Sequence, residues 1–145
     1  MRSGRLFALA TFVAFLVLTV GWASPLMFHL TTKYLESFKD PTPLTRADNL
    51  LTSWMLAWGA HALRTNPLRL FHANIFHPLP WTFAFSENLI AGAIAVRPID
   101  VAWGSPVLDH NVLLLSTFVI LGTGTALLAR ELGASLPAAW LAGVI

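Results

Sequence analysis

The chain has 145 residues, of which 56% are hydrophobic and only 11% charged, with a formal net charge of +2; an ordinary soluble domain carries about 25% charged residues. Its nine Lys and Arg residues are scattered, without the basic run or stripe that a phosphate backbone selects, so no nucleic-acid partner is expected. The absence of Cys excludes disulfides, thiolate catalysis and Cys-based metal centres.

Residues 6–32 contain no Lys, Arg, Asp or Glu, and about 20 predominantly apolar residues suffice to cross a hydrocarbon core about 30 Å thick. The segment 6–25 is therefore predicted as a first transmembrane helix. A secretory signal also fits the basic start at Arg2 and Arg5 and the small pair Ala23-Ser24, but its apolar region runs only about 7–15 residues, which favours an uncleaved anchor.

The polar stretch 33–43 leaves the membrane. A helix over residues 45–65 follows, because Leu50, Leu51, Trp54, Met55, Trp58, His61 and Ala62 recur at spacings of three and four. Asn66-Pro67 ends it. Its tryptophans suit either a membrane interface or packing against the protein's own bundle. In residues 68–81, Pro78 and Pro80 forbid a regular helix, while the aromatic content speaks for an ordered loop.

A short helix over residues 86–97 is predicted next, capped by Ser86, with Glu87 in its first turn and Arg97-Pro98 as its stop. A span here is disfavoured, because Arg97 and Asp100 would each cost about 2.5–3.5 kcal/mol in a bilayer.

Residues 110–129 form a second charge-free run ended by Arg130-Glu131 and Gly133, predicting a span over about 108–129 in which Gly122 and Gly124 allow close helix packing. A partial third span occupies 137–145. The sequence stops there without charge, cap or turn, and reads as the N-terminal portion of a polytopic, all-α integral membrane protein. Arg2, Arg5 and Arg130 flank the spans on one side, which predicts a cytoplasmic N-terminus and an outward loop. The loop's own six cations do not oppose this, since loops longer than about 60 residues translocate largely regardless of charge.

Few residues in the loop can carry chemistry. Asp48, near a helix start and beside aromatic side chains, can act as a general base toward a hydroxyl. Its spacing from Thr45 is also that of a capping box, and pattern alone favours the cap. Glu87 has an equally ordinary role in a first helical turn. Asp109 and His110 stand at the mouth of the second span, where an interfacial position accounts for them. His61, His72 and His77, at spacings of eleven and five, match no helical ligand pair, so no metal is expected. Phosphate-binding Gly-rich loops and Ser nucleophile elbows are absent.

Taken together, several ordered blocks resemble the start of bacterial GT-C membrane glycosyltransferase-like proteins: Asp48-Asn-Leu-Leu-Thr-Ser-Trp-Met-Leu-Ala-Trp58, His61-Ala-Leu63, Leu70-Phe-His-Ala-Asn-Ile-Phe-His-Pro78, Phe85-Ser-Glu87 and Pro106-Val-Leu-Asp-His-Asn111. The resemblance covers about residues 44–145. It departs from many relatives at His72 and His77, where they carry an acidic and an aromatic residue.

The resemblance implies a multi-pass protein of the bacterial inner membrane that takes sugar from a polyprenyl-phosphate donor, without a nucleotide cofactor. Asp48 takes the place of the catalytic base in the first outward loop. His61, Arg64, Asn74, His77 and Glu87 would lie near substrate, with Arg46, Arg64 or Arg69 suited to a phosphate. A divalent ion is used by some enzymes of this class, but the histidine spacing gives it no support. The competing expectation is a non-catalytic carrier or assembly protein that holds a lipid or partner without transforming it.

Overall fold

A computed structural model describes residues 2–35, 43–85 and 87–144. Among them every regular element is helical: α1 (Arg2–Trp22), α2 (Ser24–Met27), α3 (Pro43–Thr65), α4 (Ile90–Trp103), α5 (Pro106–Glu131) and α6 (Leu136–Val144), with single 3-10 turns at Pro67–Arg69 and Thr82–Phe85. Gly4–Trp22 within α1 and the whole of α5 are long and apolar enough to cross a membrane. The chain divides into two compact units, Met1–Phe28 with Leu114–Ile145, and His29–Leu113.

In the first unit one narrow face of each long helix is buried. Thr11, Phe15, Thr19 and Ala23 repeat every four residues along the inner side of the N-terminal segment, and Leu115, Val119, Gly122 and Ala126 form the matching stripe on α5. The outer faces, including Leu6, Leu9, Val13 and Val17, are exposed.

Phe15 is the wedge of this unit. A Cβ on Gly122 would lie 2.6 Å from the Phe15 ring, and a Cβ on Gly143 of α6 would meet both that ring and the Gly122 carbonyl. Glycine at both positions lets the backbones approach closely around one aromatic side chain. Gly124, by contrast, has nothing within 4 Å of where its Cβ would be. Gly133, at φ +92°, closes α5, and the Arg130 guanidinium donates to the Ala134 carbonyl at 2.6 Å.

In the second unit α3 is the platform. It begins at Pro43, because proline is preorganised for a first helical position and has no N–H to lose there. Its contact with α4 is close: a Cβ on Gly59 would stand 2.8 Å from the Ala93 methyl, and one on Gly92 2.8 Å from Leu113 and 3.2 Å from Leu56.

The expected helix at 86–97 is displaced. α4 starts at Ile90, and Leu89 precedes it at φ +29°; Ser86 lies outside the described residues. The helix also runs through Arg97-Pro98 to Trp103, ending on Gly104 at φ +60° with the Gly104 amide on the Asp100 carbonyl at 2.7 Å. An interior proline costs about 3 kcal/mol or more, yet Ala93 and Val96 are buried on the adjoining turns. Tertiary packing along this face outweighs the proline's local preference.

α5 likewise starts two residues before the expected 108, with Pro106 at its first position and the Ser105 hydroxyl accepting the Leu108 amide at 3.3 Å.

The two glycines of α5 give a paired prediction. Gly122→Ala should destabilise the protein by about 1–3 kcal/mol through overpacking against the Phe15 ring. Gly124→Ala should be neutral or stabilising by up to about 1 kcal/mol. Thermal unfolding in detergent measures both, and equal effects at the two sites would refute the wedge.

Candidate functional site

Asp48 sits on the sixth residue of α3, past the first turn, which holds no acidic side chain. A capping-box carboxylate belongs at the third helical position, so this start leaves Asp48 out of register for the Thr45 cap expected from spacing. The side chain of Thr45 lies outside the described set. The Asp48 carboxylate is exposed and has no hydrogen-bond or ion-pair partner among the described residues.

Along α3, Asp48, Thr52, Met55 and Gly59 share one stripe, since their spacings of four, three and four follow the helical period. Met55 and Gly59 are covered, whereas Asp48 projects at the open end of the same stripe.

Two of the other residues singled out from the sequence lie far from it along the helix. His61 and Arg64 are exposed on the far side of α3, about 20 and 24 Å from Asp48 along the helix axis at 1.5 Å per residue. Asn74 and His77 are exposed in the loop after α3, and Glu87 is exposed just before α4. No hydrogen bond or ion pair links these side chains among the described residues. His61 instead faces Trp58, with ring centroids 5.7 Å apart. No group of three His, Asp or Glu residues is placed to hold a metal among the described residues.

The loop 66–85 is built on α3. Trp58 donates its indole N–H to the Leu70 carbonyl at 2.8 Å. Thr82 Oγ1 donates to the Ala73 carbonyl at 3.2 Å, and the Phe83 amide to the Phe71 carbonyl at 3.1 Å. Buried Met55, Ala62, Leu70 and Phe83 form its core. Phe83 meets Trp54 edge-on at 6.0 Å, and the His72 ring lies tilted against Trp81 at 4.4 Å, contacts worth about 0.5–1.5 kcal/mol beyond area burial for an aromatic pair.

A second polar group, whose burial the sequence did not show, opens α5. Asp109, His110 and Asn111 are 1%, 6% and 0% exposed. Asn111 Nδ2 donates to the carbonyls of Leu30 at 2.8 Å and Lys33 at 2.7 Å, fastening the 29–33 turn to α5. The His110 ring stands edge-on to Tyr34 at 5.2 Å. Both Asp109 carboxylate oxygens and both His110 ring nitrogens are buried without a hydrogen-bond partner among the described residues.

One signal could have found this group. Consecutive helical residues are about 100° apart, so three polar residues in a row span too wide an arc to share one watery side.

Compared with family models, curated proteins and solved structures, the chain has no match.

Trp58→Phe keeps the aromatic packing but orphans the Leu70 carbonyl, at a cost of about 1–3 kcal/mol. The expected signature is faster hydrogen exchange in the amides of 66–85, with α1 unaffected. Unchanged exchange would show that the loop does not depend on this bond.

Proposed function

We propose that this chain is the N-terminal part of a GT-C-type membrane glycosyltransferase, moving a sugar from a polyprenyl-phosphate donor to an acceptor hydroxyl at the outer face of the bacterial inner membrane. The carrying observation is Asp48: an exposed carboxylate past the first turn of its helix, committed neither to a cap nor to an ion pair among the described residues. The blocks of residues around it supply the resemblance.

The membrane setting draws support from α1 and α5. Only 17% of the most apolar stretch of each is buried, whereas the core helix of a soluble protein hides its apolar residues. Lipid accounts for the exposed remainder, and a cytoplasmic N-terminus follows the flanking cations.

In this reading the Asp48 carboxylate takes the proton of the acceptor hydroxyl as its oxygen bonds to the anomeric carbon. The bond from that carbon to the donor phosphate breaks, and polyprenyl phosphate departs with the electron pair. Displacement from the opposite side inverts the anomeric centre. The donor carries the activated bond, so no nucleotide cofactor is required.

Asn74, His77 and Glu87 offer exposed donors and acceptors to sugar hydroxyls. His61 and Arg64, about 20 Å or more from Asp48 along α3, are assigned to the path of the lipid or acceptor. They are too far for the reacting bond.

The test uses the full-length protein in nanodiscs with polyprenyl-linked sugar donors. Asp48→Asn should lower transfer by about 10²–10⁴-fold, the range for losing a general base, while the melting temperature and donor affinity stay unchanged. Full activity in the variant would overturn the assignment. Donor binding without transfer by the unsubstituted protein would favour the carrier.

A further inference from the structure

The loop 66–85 carries an apolar ridge that the proposed transfer does not use. Its underside is fixed to α3 by the Trp58–Leu70 bond and by buried Leu70 and Phe83. Its outer side displays Leu68, Phe76, Leu79, Trp81 and Phe85, all more than half exposed, with Leu68 at 93%. Scattered exposed apolar residues need no explanation, but five of them within 18 residues of one pinned loop concentrate apolar surface as an interaction site does.

Backbone conformation singles out the same stretch. Phe76 and Trp81 have φ of 56° and 61°, a left-handed region that bulky side chains rarely occupy and that concentrates at functional positions. Both are exposed, so the strained backbone is not repaid by burying either ring.

Charge selects the partner. All seven carboxylates of the chain lie outside residues 66–85, which hold Arg69, His72 and His77. An acid-free, aromatic, weakly cationic ridge complements a surface that is apolar below and negative above. Indole rings settle at headgroup level, and a guanidinium matches a lipid phosphate with two hydrogen bonds.

We propose that the ridge of Leu68, Phe76, Leu79 and Trp81 is an anchor that inserts into the headgroup–acyl boundary of a bilayer containing anionic phospholipid, with Arg69 on the lipid phosphates. The anchor rests on the membrane reading above and is independent of sugar transfer.

The natural absence of Cys makes single-cysteine spin labelling direct. Leu68→Cys, Phe76→Cys and Leu79→Cys are labelled one at a time in the full-length protein. Each is reconstituted in nanodiscs of phosphatidylcholine, with or without phosphatidylglycerol. Val17→Cys, on the exposed face of α1, reports the membrane setting separately.

The expected result is that all three loop labels collide more often with oxygen than with a water-soluble nickel chelate. They should sit deeper with phosphatidylglycerol, and Arg69→Gln should abolish that difference. Preference for the chelate at the loop, with Val17 still in lipid, overturns the anchor alone. Aqueous labels at both places overturn the membrane reading as well. Labels shielded from both collision partners indicate a protein covering the ridge and overturn the lipid assignment, and equal depths in the two lipids overturn the anionic preference.

Discussion

The hydrogen bond from the Trp58 indole to the Leu70 carbonyl turns a proline-rich segment back onto α3, and the exposed surface of the second unit depends on that return. Leu70 and Phe83 can then enter the core with Met55 and Ala62, the Phe71 and Ala73 carbonyls find partners in Phe83 and Thr82, and the remaining aromatics are left outside. A buried indole must find an acceptor or forfeit a hydrogen bond. The same contact therefore satisfies the donor and fixes the loop.

Helix packing follows a different constraint, the removal of side-chain bulk. Gly59 and Gly92 bring α3, α4 and the start of α5 together, and Gly122 with Gly143 admit the Phe15 ring. Where apolar side chains would meet lipid on either side, association gains little from hydrophobicity and relies on such close contact. The buried polar run at α5 works against this economy. Asn111 donates two hydrogen bonds, but its Oδ1, like the polar atoms of Asp109 and His110, finds no hydrogen-bond partner among the described residues. Buried ionisable groups without hydrogen bonds are costly.

Much of this was legible in the sequence, for identifiable reasons. Uninterrupted apolar runs exposed α1 and α5, and the three-four spacing of Trp54, Met55, Trp58 and Ala62 exposed α3, because periodicity depends only on local order. The limits of α4 were not legible. Pro98 and the Ser86-Glu87 pair are strong local signals, and packing at Ala93 and Val96 overrode the proline. Gly122 and Gly124 look alike in sequence, and only the position of Phe15 separates them. Asp109 and His110 open a long apolar helix, and the burial of His110 against Tyr34 depends on a residue distant in the chain. Asp48 was legible as a carboxylate with two uses. The start of α3 at Pro43 weakens one of them.

The decisive chemical observation is the anomeric configuration of the product. Full-length protein in nanodiscs, given a polyprenyl-phosphate sugar of known configuration, is followed by proton NMR of the anomeric signal and mass spectrometry of the released lipid. A single displacement assisted by Asp48 gives the inverted glycoside and one polyprenyl phosphate for each sugar moved. Retained configuration, or no sugar moved from any polyprenyl-linked donor, would contradict it.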